Sequence, residues 1–570
     1  MREYIDFNNS WTFTQNTQGE EKGFTDSPVT LPFFHDINSM PEGEWRFSWT
    51  AGDNDEGKTV YIEFSQISAF IKVFSGEKLL SEHAPFVTPL RVLLTLDAER
   101  NKTYDICVHV TPVPREDGKF CFAGVRLITA GSSHLNILTP GDGIRIKTEK
   151  DGNVHIKSDI VRPNNYDVVS YTVFGMKNNE IASVTAKPTS ADVTLNIPSP
   201  EIWDGQSGAY FYTLNVRLLR DAGVLDEVNV PFAFKEADLS DDGFFRLNSL
   251  RLPLDGIRLT DLSGVKSDLE NIKLLDTNAL IASSLPSKTD LLSFCDREGI
   301  IFWYEMTHSG NIIEDKNALR DFLLQKSSHP SLTFIVVPDE ADEGYFNEID
   351  ALVKEYAPHL ITVFNIGANE TVKDIPANAK ITLVTLPCDN TPEGYIALTG
   401  RISDLKKKYP EKLFAVYTES PLKTQMSPRE HFLHNIRMWN SFCRSAGIVA
   451  YFPGVLSDSR QTNGKRGLTG CDRERLYDSF YYFRSRFSSE GFISIAAPDE
   501  EETEGKTTDI ECITNRENLR ILVNGRDKKY TAEKLSDGHF VFRQIKLARG
   551  SNLIEVSADD ECDSIEITRL

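Results

Sequence analysis

Several β-sandwich units arranged around a (β/α)8 barrel make up the fold class that this sequence predicts. Three observations predict it. Short runs of alternating apolar and polar residues, broken by turn residues, fill 1–235. Short apolar runs then alternate with helix-spaced segments over 236–489. Alternating runs return over 490–570. At roughly 100–200 residues per domain, a chain of 570 residues holds several hydrophobic cores.

In chain order, 1–130 reads as a jelly-roll sandwich. Strand-like runs at 58–64 and 69–74 are separated by turn signals such as Gly52-Asp-Asn-Asp-Glu-Gly57. Residues 131–235 continue in the same style, with runs at 172–174 and 209–216, at the length of an immunoglobulin-like sandwich. An acidic linker, 235–242, precedes the change of pattern. From there, expected strands at 278–282, 299–303, 333–337, 360–364, 381–385, 413–417 and 447–452 are interleaved with helical segments such as 268–275 and 288–298. Such alternation means parallel strands, and over about 250 residues the simplest closure is an eight-stranded barrel. Residues 490–570 form a last, immunoglobulin-like β unit, in which 518–524 runs into Asn-Gly, a hairpin signal.

Composition excludes several function classes. Eighty-four acidic against 62 basic residues give a net charge of −22, so a phosphate backbone would be repelled and nucleic acid is not an expected partner. No stretch of about 18 apolar residues predicts a membrane-spanning helix. The chain reaches strand-like sequence directly after Met1, without the pattern of a secretory leader. That predicts a cytoplasmic protein if the chain is complete, and a periplasmic or secreted one if a leader has been removed. The eight cysteines contain no Cys-x-x-Cys pair and read as free, mostly buried thiols. No His/Asp/Glu spacing makes a metal site persuasive, so none is expected, and Glu305 and His308 read as the end of another strand and its loop. There is no Gly-x-Gly-x-x-Gly, P-loop or nucleophile elbow, and no cofactor is expected. A homo-oligomer is compatible with the sequence.

Motifs in order along the chain carry a resemblance. They are Leu31-Pro-Phe-Phe-His-Asp36, then 70–83 with Phe86-Val-Thr-Pro89, Pro200-Glu-Ile-Trp-Asp204 with Phe211-Tyr-Thr-Leu214, and Asp242-Gly-Phe-Phe-Arg-Leu-Asn248. Cys295-Asp-Arg-Glu-Gly-Ile-Ile-Phe-Trp-Tyr-Glu305 and His329-Pro-Ser331 follow. In order and spacing the chain resembles glycoside hydrolase family 2, which includes β-galactosidases, β-glucuronidases and β-mannosidases. The resemblance implies a retaining, exo-acting β-glycosidase with a carbohydrate substrate and two catalytic carboxyl groups about 5–5.5 Å apart.

By that resemblance Glu340 falls on the acid/base position, reached without a gap from His329, and Glu419 in Val416-Tyr-Thr-Glu-Ser420 falls on the nucleophile position. Asp339 stands where the family has an Asn that donates to the sugar, and an ionised Asp has no proton to donate. The stretch 338–343 also reads as an acidic strand-to-helix loop, and Glu419 as an exposed loop residue. The Arg that steadies the family's nucleophile is Ile281 here, a pocket His is Ser284, and Asn-Arg-His reads Ile257-Arg-Leu259. Tyr451 fits a sugar-stacking platform or, equally, the core. Asn463 and Lys465 are similar to the Asn-x-Lys that holds a uronate carboxylate, although Asn-Gly-Lys is also a common turn. These losses leave an alternative: a catalytically impaired homologue that binds carbohydrate.

Overall fold

The structure, a computed structural model, describes the chain apart from residues 10, 16–26, 37–41, 86–88, 113–118, 191, 222, 241, 261–264, 284–290, 369–373, 390, 444, 446, 459–465 and 497–501. The expected fold class is present: a closed eight-stranded parallel barrel flanked by β-sheets whose strands pair almost entirely antiparallel.

The N-terminal sandwich pairs a four-stranded sheet (Glu3–Asp6, Val125–Ala130, Thr59–Phe64, Leu90–Thr95) with a six-stranded one. The larger sheet runs Ser27–Val29, Trp11–Gln15, Gly43–Thr50, Thr103–Pro112, Ala69–Ser75, Lys78–His83. Their inner faces close over Trp11, Trp45, Phe47, Phe64 and Phe122, and every second residue of Gly43–Thr50 is buried. A second core gathers Tyr171, Tyr212, Leu214 and Phe232 between a three-stranded and a four-stranded sheet. The C-terminal sheets enclose Cys512, Phe542, Ile554 and Val556.

Eight parallel strands form the barrel: β1 Leu254–Leu259, β2 Ala279–Ala282, β3 Ile301–Glu305, β4 Leu332–Val336, β5 Ile361–Ile366, β6 Ile381–Leu386, β7 Leu413–Thr418 and β8 Ile448–Phe452. β1 closes on β8 through Leu254–Ala450 and Asp255–Tyr451 pairing. Both faces of each strand are buried, one against the barrel interior and the other against the helices, so the strands read as continuous apolar runs. The two faces belong to different clusters. Ile281, Trp303, Phe334, Val336, Ala415, Tyr417 and Phe452 fill the interior. Leu280, Phe302, Tyr304, Ile335, Val416 and Tyr451 pack against the helices. Inside, the Trp303 ring stacks on Phe334 at 3.9 Å and meets Phe452 edge-on at 5.3 Å. Gly256 in β1 is small for this reason, since a Cβ there would overlap the Phe452 ring.

The family-like motifs meet in space. The backbone carbonyl of Asp296 accepts from Trp203 Nε1 (2.8 Å), while its carboxylate faces His329 Nδ1 (2.7 Å) and accepts from the Ser331 N–H (2.9 Å). Trp203, Phe245 and Leu247 join the interior cluster from outside the strands. These motifs therefore pin the preceding β unit to the start of the barrel, on the side away from the strand C-termini. The opposite end is left for chemistry, as is usual for this barrel type.

Candidate active site

Alternation along the strands decides which side chains reach the mouth. In β3, Ile301 and Trp303 point inward, so Glu305 does as well; in β1, Ile257 and Leu259 face the helices, so Arg258 points inward. The two meet: the Arg258 guanidinium is hydrogen-bonded to Glu305 Oε2 and lies over the Tyr417 ring of β7, 4.9 Å from its centroid. Burial pulls the guanidinium pKa down, but Glu305, then Tyr417, more than offset it, and the net shift is upward. Arg258 thus spans the interior from β1 to β3 and β7. Asn365 of β5 is also inside, and its buried side-chain oxygen finds no hydrogen-bond partner among the described residues.

Glu419 directly follows β7. It is half-buried, and its N–H is bonded to the Leu386 carbonyl at the end of β6 (2.8 Å), which extends the strand pairing by one residue. It lies close enough to Cys388 to act on it. The Cys388 thiol is pushed up to about 12 by burial and by the negative charges of Glu419 and Asp389. Its sulfur is 3.8 Å from His434 Nε2 on helix α1 (Pro428–Phe442). The following Ser420 accepts a hydrogen bond from the Val455 N–H (2.9 Å), which ties the loop after β7 to the loop after β8. Gly454 allows this approach: its φ is +112°, and a Cβ would sit on Ser420 Oγ.

Glu340 is exposed in the turn after β4. Its charge acts on Tyr345, whose hydroxyl pKa is raised by burial, by its hydrogen bond to Asp315 and by that carboxylate's charge, with Glu340 a smaller contribution. Asp315 gathers three contacts: Tyr345 Oη (2.8 Å), His308 Nδ1 (2.7 Å) and the Ser309 N–H (3.0 Å). Asp339 is half-buried with its carboxylate against Gly367, just past β5, and Arg401 holds that segment through the Gly367 and Ala368 carbonyls at 2.9 Å each.

Glu340 and Glu419 therefore follow the C-terminal ends of β4 and β7, on one end of the closed barrel. Tyr451 does not face that mouth. It is 2% exposed, in the layer between barrel and helices, with its ring 5.5 Å from Trp439 and 6.4 Å from Phe483. The core reading of Tyr451 is the one its position fits, and a stacking role is corrected on that ground. Ile281 is an interior core residue. Asn463, Lys465 and Ser284 lie outside the described residues. The sequence places Arg258 only as the Arg kept in the segment similar to Asn-Arg-His, and it does not single out Glu305 or Asn365 as mouth residues; strand alternation counted from Trp303 is the signal that finds Glu305.

No protein-family model matches the chain. A protein of Formosa agariphila described as a β-glucuronidase is 29% identical over 206 residues, 33% of this chain and 24% of that protein. A β-galactosidase of Thermoanaerobacterium thermosulfurigenes is 21% identical over 421 residues, 63% of this chain and 57% of the relative. The chain thus matches about a quarter and somewhat over half of the lengths of these two curated relatives. Among solved structures, an FMN-binding β-glucuronidase from F. prausnitzii L2-6 superposes with a TM-score of 0.86 at 19% identity, covering 100% of this chain and 98% of that one. A Bacteroides uniformis β-glucuronidase gives 0.82 at 15% identity, covering 100% and 80%. In the order of its motifs and in its fold, the chain resembles glycoside hydrolase family 2.

Proposed function

We propose that this protein is a retaining, exo-acting β-glycosidase that removes a terminal sugar from a glycan or glycoside, in the manner of a β-glucuronidase or β-galactosidase. The observation that carries the reading is the position of two carboxylic side chains, Glu340 and Glu419, after β4 and β7 at the same end of a closed barrel. The names of the relatives support the reaction class.

In this reading Glu419 attacks the anomeric carbon while Glu340 gives its proton to the leaving oxygen. Glu340 then takes a proton from water, which hydrolyses the glycosyl–enzyme bond and returns both carboxyl groups to their starting states. The exposed Glu340 suits an exchange with leaving group and water. The half-buried Glu419, fixed through its N–H to β6, suits a nucleophile that has to keep one position. Asn463 and Lys465 would hold the carboxylate of a uronate substrate.

Aryl β-glycosides (galactoside, glucuronide, mannoside, glucoside) test this. Release of the aryl group from one of them is expected, with the first-formed sugar retaining its β configuration by proton NMR. Glu340→Gln is expected to lower turnover by about 10²–10⁴-fold, the usual share of general acid–base catalysis. Glu419→Gln is expected to abolish it. Lys465→Ala is expected to spare every substrate except the glucuronide. No turnover across the set, combined with sugar binding in calorimetry, would overturn the enzyme reading in favour of a carbohydrate-binding homologue.

A further inference from the structure

The six-stranded sheet of the N-terminal sandwich carries an unusual cluster on its outward face. Its central strands Gly43–Thr50 and Thr103–Pro112 run antiparallel, with Glu44 directly opposite His109 and Arg46 directly opposite Cys107. Trp45, Phe47 and Trp49 turn to the core, so alternation sends Glu44 and Arg46 outward, alongside Cys107 and His109 from the neighbouring strand. One ligand atom from each of Glu44, Cys107 and His109 falls within 4.8 Å of the other two. Glu44 Oε1 is 3.1 Å from His109 Nε2. We propose that Glu44, Cys107 and His109 form a binding site for a divalent metal ion of the zinc type, with water in the fourth position.

The donor set selects the ion. One sulfur, one imidazole nitrogen and one carboxylate oxygen suit zinc and its close neighbours, whereas magnesium and calcium favour oxygen alone. Ligands on a tetrahedral zinc, bonded at about 2.0–2.3 Å, lie roughly 3.3–3.8 Å from one another, so closing the cluster on an ion takes side-chain movements of about 1 Å. The backbone does not have to move, because the ligands come from two strands hydrogen-bonded in register in the middle of a sheet. The Phe74 ring lies against His109, with centroids 4.7 Å apart, and limits how far the imidazole swings.

Two cations border the cluster. Arg46 binds Glu44, its Nε at 3.1 Å from Oε2, and neutralises that carboxylate while no ion is bound. Arg46 also hydrogen-bonds Cys107, so an incoming ion has to displace it; its side chain is 60% exposed and has solvent to turn into. Lys72, opposite His109 on the third strand, pairs with Glu82 at 3.2 Å, which directs its charge away. Binding converts the Cys107 thiol to a thiolate and releases its proton to solvent, so uptake is expected to weaken as pH falls.

The test uses the full chain without an affinity tag, stripped with a chelator and titrated with Co²⁺ under reducing conditions. A near-ultraviolet thiolate-to-cobalt band is expected to saturate at one ion per chain and to be displaced by Zn²⁺. Cys107→Ser should abolish the band, and His109→Ala should weaken binding by more than about tenfold, as loss of one ligand typically does at least. Arg46→Ala should tighten it. All these side chains are on the outer face, and circular dichroism checks that the variants remain folded. A Cys107→Ser protein that titrates like the wild type, or a wild type without the band at millimolar metal, overturns the proposal.

Discussion

Replacing Glu305 by Gln removes the charge that Arg258 faces inside the barrel while keeping the side chain's size. Both groups are mostly sheltered, with 23% of the Arg258 side chain and 11% of the Glu305 side chain exposed. Unit charges about 4 Å apart attract by about 4 kcal/mol at an effective dielectric constant of about 20. Stranding one member of a buried pair costs about 3–5 kcal/mol. Solvent reaches part of the guanidinium, and the Tyr417 ring beside it retains about 0.5–1 kcal/mol of cation–π attraction. The expected loss is therefore about 2–4 kcal/mol. The pair Arg258→Met with Glu305→Leu strands no charge and should return to within about 1 kcal/mol of the wild type, leaving a coupling energy of about 2–3 kcal/mol between the two sites. Because a chain with several cores does not unfold in one step, the assay is native-state hydrogen exchange read by mass spectrometry on peptides covering β1, β3 and β7. A Glu305→Gln protein whose barrel opening energy stays within about 0.5 kcal/mol of the wild type would refute the reasoning, since that is the range of ordinary surface changes.

Two further outcomes follow from particular contacts. Tyr451→Phe gives up only a 3.4 Å contact between its hydroxyl and Thr418, so it should cost less than about 1 kcal/mol and leave sugar affinity in calorimetry unchanged, whereas Tyr451→Ala should destabilise the barrel by about 3–5 kcal/mol. Glu511 ties the C-terminal β unit to α1: burial pushes its pKa up, but hydrogen bonds to His539 and Arg429 and their charges prevail and hold it at about 2, below the ordinary 4.5. A carboxylate depressed on folding stabilises above its unfolded pKa. That contribution is complete above about pH 4.5 and is lost as pH falls towards 2, and Glu511→Gln should flatten the acid limb of stability against pH measured by exchange in Thr507–Thr514.

The barrel was legible because each strand is an apolar run between helical segments, and the order of family-like motifs was legible because those motifs are spaced contacts. The hydrogen bonds of Asp296 to Trp203 and His329 explain why they occur together. The facing of individual strand residues was less legible. In a strand buried on both sides, Tyr451 and Phe452 are equally apolar in sequence, and only closure of the barrel turns one outward and the other in. The resemblance matches Arg258 to a pocket Arg, but nothing in the sequence ties it to Glu305, 47 residues later, until the barrel brings the two together. The Glu44–Cys107–His109 cluster has no local spacing to reveal it, because antiparallel register rather than chain proximity assembles it.

The contents of the barrel interior bear on whether the mouth has decayed or been rebuilt. By the resemblance Ile281 stands where glycoside hydrolase family 2 has an Arg, and it is a core residue here, as decay would leave it. Arg258, Glu305 and Asn365 have not followed, and each keeps polar atoms in an interior where an apolar side chain would cost less. Stability alone gives no reason for a buried ion pair, because well-packed apolar residues usually match or exceed it. Charge held at such a cost beneath the ends of β1, β3 and β7 is expected to shape the field at Glu419, and the apolar double variant separates the two cases. A barrel with Arg258→Met and Glu305→Leu that is as stable as the wild type but has lost turnover assigns the pair to catalysis; full turnover in the same variant would mean that the pair does no more than fill space.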